Sequence, residues 1–301
     1  MSTETSMQID NFADNLDLEA LRKRIVESPT YKPAAEDVDF LNRESLRPVR
    51  MQLELLKPEM ALQEQNVRST IVVFGGTQIV EQHVAQERLC AAREALSQAP
   101  ENPILQRTAF RAERVAAKSH YYEAAREFGR LVSSECQLNG HCDYVIVTGG
   151  GPGVMEAANR GAFDAGCKSA GFNITLPAEQ FPNPYITPEL CFQFRYFALR
   201  KMHFLLRAKA LVVFPGGFGT LDELTDALTL IQTRRMAAIP IIMFGREYWD
   251  RALDFDFLAD EGVIDDAHVR IIQYADTPQE AWNLIASFHS HGANGSLSEE
   301  S

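Results

Sequence analysis

The feature that most limits what this chain can fold into is a series of short β-branched runs, each closed by glycine or proline and followed by a stretch of helical character. The runs are TIVVF (70–74), DYVIVT (143–148), SAGFNITL (169–176), ALVVF (210–214), IPIIMF (239–244) and VRIIQY (269–274). They are continuously apolar rather than alternating, so neither face of the strands suits water. Continuous apolar strands alternating with helices predict a parallel sheet covered on both sides, an α/β doubly wound fold.

The first crossover is unusually long. Residues 81–135 are rich in Ala, Glu and Arg, so a helical insertion after the first strand is expected there rather than a structureless loop. Upstream, residues 16–68 read as an N-terminal helical extension, with Pro48 and Pro58 limiting its helix ends. That segment has too few large apolar residues for a core of its own and is expected to pack on a main domain spanning 69–289. The ends, 1–15 and 290–301, are polar and small-residue-rich and are expected to be disordered.

With 301 residues the chain can bury a sizeable core. Its 29 basic against 41 acidic residues, a net charge of −12, disfavour a nucleic acid polymer or an anionic membrane as partner. No run approaches the ~18 apolar residues of a membrane span. The start, MSTETSMQIDNFADN, has neither a signal peptide's nor a transit sequence's pattern. The five cysteines show no CxxC pair, and their odd number suits free, mostly buried thiols in a reducing cytoplasm. Neither HExxH nor Cys/His zinc spacing occurs, so no metal is expected.

Ligands of open α/β sheets bind at the carboxyl ends of the strands. Three such ends carry glycines: VVFGGT (72–77), IVTGGGPG (146–153) and VVFPGGFGT (212–220). Glycine lets backbone N–H groups approach an anion, and the helix that follows adds its positive end. The turns therefore suggest a phosphate-bearing ligand, although glycine also serves tight turns that hold nothing. GxxxxGK[ST] is absent. GxGxxG fails as well, because Val154 or Glu156 stands where Gly149–Gly153 would need a further glycine, and Asp222 where Gly217–Gly219 would. A mononucleotide fits better than a P-loop triphosphate or a dinucleotide.

Thr220-Leu221-Asp222-Glu223 fits a capping box, with Thr220 as N-cap and Glu223 reaching back to it. It also fits a carboxylate set to orient ribose hydroxyls and stabilise the sugar cation formed when an N-glycosidic bond breaks. Upstream, Arg200, His203 and Arg207 share one helix face beside Lys201. That face is either a solvated basic stripe or one that aims Arg200 or Lys201 into the cleft. His203 reads as structural.

With Arg200-Lys201 and Pro215-Gly216-Gly217-Phe218-Gly219-Thr220-Leu221-Asp222-Glu223, the sequence resembles the LONELY GUY (LOG) family, long labelled lysine decarboxylases. GGGPGVMEAAN (149–159) is similar to the family's second glycine segment, and the resemblance spans about residues 70–288. The helical N-terminus and the 81–135 insertion place the chain nearer the longer bacterial members. What the resemblance implies is a Rossmann-like phosphoribohydrolase that cleaves nucleoside 5′-monophosphates, of AMP or cytokinin riboside type, to free base and ribose 5-phosphate. It further implies catalytic roles for Arg200 and Glu223. Substrate contacts would come from Lys201, from Gly216, Gly217, Phe218, Gly219, Thr220, Leu221 and Asp222, and from the 149–153 turn through Gly149, Gly150, Gly151 and Gly153. Glu179 and Thr229 match family ligand contacts more loosely. Neither cofactor nor metal is implied, and a homodimer or higher homo-oligomer is.

Pyridoxal chemistry lacks a credible Schiff-base lysine, since Lys201 stands in an Arg-Lys-Met context and no His-Lys pair occurs. The carboxylates of Asp254, Asp256, Asp260 and Glu261 fit a solvated helix face better than a calcium loop. The rival from another class is a non-catalytic carrier of a phosphorylated cofactor, like the molybdenum-cofactor carriers, whose fold uses similar glycine loops.

Overall fold

The computed structural model describes residues 17–137, 142–175 and 181–295. The expected tail at 1–15 lies outside them. So does 296–301, whereas 290–295 belong to a helix and correct the expectation of disorder there. The chain divides into two compact units, Met1–Leu53 and Glu54–Ser301.

In the first unit, Asp17 caps helix α1 (Leu18–Val26) by accepting from the N–H groups of Glu19 and Ala20. Asp37 caps the single turn α2 (Val38–Leu41). Arg50 donates to the carbonyls of Leu41 and Arg43. Helix α3 (Arg47–Glu64), whose residues from Glu54 on belong to the second unit, has Pro48 in its first turn, as expected, but Pro58 does not end it. Pro58 cannot donate to the carbonyl of Glu54 four residues back. His203 Nε2 lies 3.2 Å from that carbonyl and takes the place of the missing donor.

The second unit is built on a seven-stranded, all-parallel sheet. Its strands are β1 (Thr70–Phe74), β2 (Val145–Thr148), β3 (Ser169–Ile174), β4 (Cys191–Phe194), β5 (Ala208–Val213), β6 (Ile241–Phe244) and β7 (Ile272–Ala275). Their spatial order is β4-β3-β2-β1-β5-β6-β7. Six of the seven lie on the expected apolar runs, and β1 matches TIVVF residue for residue. The sequence pattern missed β4, an edge strand whose residues alternate between buried and exposed instead of forming an apolar run. The head of the VRIIQY run joins a short helix, α12 below, at Val269.

The insertion is helical, as expected: α4 (Gln82–Gln98), α5 (Pro103–Ala116) and α6 (His120–Cys136). Asn102 and Pro103 start α5, one accepting from the first free N–H groups and the other supplying a preset φ. After β2 comes α7 (Val154–Asp164), which packs with α6 against Ile71, Val73, Ile146, Val212 and Ile242 of the sheet. Gly129 and Gly161 let these helices touch backbone to backbone, since a Cβ on either would fall within 2.5 Å of the other helix's carbonyl oxygen. The remaining helices are α8 (Phe197–Leu206), α9 (Phe218–Gln232), α10 (Arg246–Ala252), α11 (Phe255–Asp260), α12 (Asp266–Val269) and α13 (Pro278–Gly295). Among the described residues no helix is long and apolar enough to cross a membrane. The cysteines are free, but only Cys142 is fully buried and Cys90 is exposed, against the expectation that most would be buried.

Strand order reverses between β1 and β5. The connections of one flank leave β1 toward β2, and those of the other leave β5 toward β6, which opens a crevice at the carboxyl ends of these two strands.

Candidate functional site

A cleft of about 260 Å³ occupies that crevice. From the end of β1 and the turn after it come Phe74, Gly75, Gly76 and Thr77; from the turn after β5 and the start of α9 come Gly217, Gly219, Thr220, Asp222 and Glu223. Met155 of α7 and Phe197 and Arg200 of α8 close the remaining walls.

The turn after β5 is held from behind. Gly76 N–H donates to the carbonyl of Pro215 at 2.8 Å, and Tyr248 Oη of α10 donates to the carbonyl of Gly216 at 2.6 Å. Gly216 is glycine because the Thr220 side chain packs against it, where a Cβ would meet Thr220 Oγ1 at 2.1 Å. Helix α9 then begins at Phe218, with Gly217 as an N-cap that has no side-chain cap. The expected capping box is thereby corrected. Thr220 lies inside the first turn, because the glycines let the helix start three residues earlier, and Glu223 is left without a capping role. At Gly217 and Gly219 an added Cβ would meet nothing within 4 Å, and Gly217 has φ −106°, which any residue adopts. Glycine there leaves room in the cleft in front of an uncapped helix N-terminus, an arrangement suited to an anion.

Glu223 and Arg200 face each other at the back of the cleft. Arg200 Nη1 lies 3.5 Å from Glu223 Oε1, and both side chains are almost fully buried. Arg200 is fixed by more than this long contact. Its Nε donates to the carbonyl of Phe172 at 2.6 Å, and its guanidinium lies 4.9 Å from the Phe204 ring centroid. Burial lowers the Arg200 pKa against the pull of Glu223 and Asp222. Burial pushes the Glu223 carboxyl up to about 7, opposed by Arg200 and Lys201. A carboxyl near neutrality beside a fixed cation can hold or give up a proton at working pH. Lys201 Nζ lies 2.7 Å from Asp222 Oδ1 on the rim and so orders a carboxylate that lines the cleft.

The basic stripe of α8 is no solvated face. His203 is buried, with Nδ1 3.4 Å from Glu59, and Arg207 pairs with Glu59 at 2.7 Å. Burial lowers the His203 pKa. Of the three, only Arg200 reaches the cleft, and His203 is structural as expected.

The second glycine turn behaves differently. Gly149, Gly150, Gly151 and Gly153 are buried and do not line the cleft. Gly149 gives way to Arg200, whose Nη2 would lie 2.6 Å from a Cβ there. Asn183 binds the next two residues, its N–H donating to the Gly150 carbonyl and its Nδ2 to that of Gly151. Phe218 is 91% exposed outside the cleft wall, and Leu221 is half-buried away from it. Thr229 Oγ1 donates to the Thr225 carbonyl, six residues along α9 from Glu223 and outside the cleft lining. Glu179 lies outside the described residues. Asp254 caps α11 through the N–H of Phe257, and no metal-ligating cluster occurs among the described residues. Sequence reasoning missed Met155, Phe197, Asn183 and Tyr248. Only Met155 carried a signal, from its place in the GGGPGVM segment.

The family model described as possible lysine decarboxylase matches residues 155–285, which include Arg200 and the whole turn from Pro215 to Glu223. The LOG-like resemblance carried by the motifs is thus shown. No curated protein matches. Among solved structures, an X-ray structure of TM1055 is 23% identical, with 73% of this chain and 99% of that chain covered at a TM-score of 0.44. A molybdenum-cofactor carrier protein from Chlamydomonas reinhardtii is 17% identical, with 74% and 99% covered at the same score of 0.44.

Proposed function

Taking the LOG-like resemblance as premise, we propose that the chain hydrolyses the N-glycosidic bond of nucleoside 5′-monophosphates to free base and ribose 5-phosphate. The observation that carries this reading is the buried Arg200–Glu223 pair, set 3.5 Å apart at the β1/β5 crevice beside the uncapped, glycine-lined start of α9. The 5′-phosphate binds the N–H groups at Gly217–Gly219, where backbone donors and the helix end favour a dianion. Asp222, held by Lys201, meets the ribose hydroxyls. Ionised Glu223 stabilises the oxocarbenium-like sugar and takes a proton from the attacking water, while the base leaves with the electron pair of the N-glycosidic bond and takes up that proton to become free base. Arg200 holds Glu223 in place and offers a donor fork toward the substrate. No step calls on a metal or cofactor.

We further propose that residues 16–68 extend a catalytic domain at 69–289, that the protein works as a cytoplasmic homodimer or higher homo-oligomer, and that Gly149–Gly153 shape the site from behind. Incubating the purified protein with AMP, cytokinin riboside monophosphates and other monophosphates, with products resolved by liquid chromatography, tests the activity. Free base and ribose 5-phosphate in equal amounts support it. Saturable monophosphate binding without turnover would overturn it in favour of a carrier like the molybdenum-cofactor carriers.

A further inference from the structure

Away from the cleft, two cavities of about 390 and 680 Å³ adjoin one another and share Arg114 and Lys118 in their walls. The smaller lies between the α5–α6 junction and α10, and the larger between α4, α5 and the Gln78–Ile79 segment after β1. Their combined lining carries Arg88, Arg111, Arg114, Lys118 and Arg251 against one acid, Glu247.

This imbalance is unusual for a chain of net charge −12. Several cations elsewhere do pair: Arg93 with Glu113, Arg126 with Asp164, Arg130 with Glu127, Arg160 with Glu81 and Lys201 with Asp222. Among the described residues none of the five cavity cations has a carboxylate within ion-pair distance. Lys118 Nζ instead donates to the carbonyl of Arg114 at 3.2 Å, which holds two cations side by side. Burial first, and then the neighbouring charges of Arg114 and Arg251, lower the Lys118 pKa, with Glu247 pulling the other way.

We propose that these joined cavities form a binding site for a compact polyanion bearing two or more phosphate groups. Concave walls favour a small molecule over a flat partner surface. Four of the five cations are arginines, whose planar forks match phosphate oxygens two at a time. Several cations spread over two chambers suit linked phosphates better than one. The site also borders the two cleft-lining turns, after β1 and after β5. Tyr248 lines the smaller chamber while donating to the Gly216 carbonyl, and Ile79 in the larger one would touch a Cβ on Gly76 at 3.5 Å.

Titration calorimetry of the full chain with inorganic triphosphate tests the site without using turnover, so its outcome is separate from that of the proposed hydrolysis. Saturable binding is expected in the wild type and unchanged in Arg200→Ala. In the double variant Arg114→Ala/Arg251→Ala it weakens at least about tenfold, as loss of two charge-assisted contacts implies. Both side chains are exposed, so thermal unfolding should be unaffected; Arg88→Ala/Arg111→Ala on the other chamber provides a second pair if it is not. Citrate, a polyanion without phosphate, should bind at least about tenfold more weakly. The proposal is overturned by absence of saturable binding, by binding lost in Arg200→Ala but kept in both double variants, or by citrate binding equally well.

Discussion

The turns at 149–153 and 215–220 look alike as strings of letters, yet they use glycine for opposite ends. In the first, Gly150 and Gly153 have φ of +72° and +76°, and side chains there would run into Asn173 and the backbone of Gly76–Thr77. That turn is shaped by its backbone and packed solid. In the second, Gly217 and Gly219 border empty cleft and Gly217 has an ordinary φ. Glycine marks a backbone requirement in one place and space left for a ligand in the other.

The sharpest way to break this comparison is at the residues that the open turn serves. Glu223→Gln should fold normally, because no cap depends on it, and lose about 10²–10³ in kcat through loss of the charge facing the sugar. Near-wild-type turnover would leave Glu223 without a catalytic role. Arg200→Ala should lose activity to a similar degree, and Arg200→Lys should not restore it, since an ammonium cannot reproduce the fork fixed on Phe172. A collapsed melting temperature with normal activity per folded molecule would make Arg200 structural.

Next come the two turns themselves. Gly217→Val should keep its melting temperature. It should erase a preference for AMP over adenosine of about 10²-fold in kcat/KM, close to 2.7 kcal/mol. Gly150→Val should do the reverse and destabilise the fold by about 1–3 kcal/mol at a positive φ, read by thermal unfolding. If both variants behave alike, the distinction between the turns fails.

A smaller effect follows from the Glu223 carboxyl, which burial holds at about 7. On the proposed hydrolysis, with ionised Glu223 as the active form, kcat/KM should rise about tenfold per pH unit below that value and level off above it. Stability runs the other way. A folded-state pKa raised above the unfolded one gives a contribution complete below about 4.5 and lost as pH rises through about 7, of order 1–3 kcal/mol. Denaturant titrations of wild type and Glu223→Gln from pH 5 to 8 should therefore diverge as activity appears. The smallest expected effect is at Thr229→Ala, outside the cleft, whose kcat/KM should stay within about twofold of wild type.

Strand identity was legible because period and composition are local properties. TIVVF is β1 to the residue, and the helical insertion at 82–136 follows from its run of helix formers. The edge strand Cys191–Phe194 was not legible, since half-exposed alternation over four residues resembles any loop. Pro58 shows the same limit: a helix breaker by sequence, it is tolerated because His203, distant in sequence, meets the Glu54 carbonyl. At the site, the pattern Arg-Lys with PGGFGTLDE supplied Arg200, Gly217, Gly219, Thr220, Asp222 and Glu223 of the cleft lining, while the capping reading of Thr220–Glu223 did not survive.

The sequence by itself determined the parallel sheet, the glycine-bearing strand ends and the residue types gathered near them, because each follows from patterns a few residues long. Which glycine turn opens and which is packed shut, that Arg200 alone of its stripe turns toward Glu223, and that five cations line two adjoining cavities were decided only by the tertiary structure. These depend on the order β4-β3-β2-β1-β5-β6-β7 and on side chains brought together from distant segments, and burial and distance of that kind have no local signature in the chain.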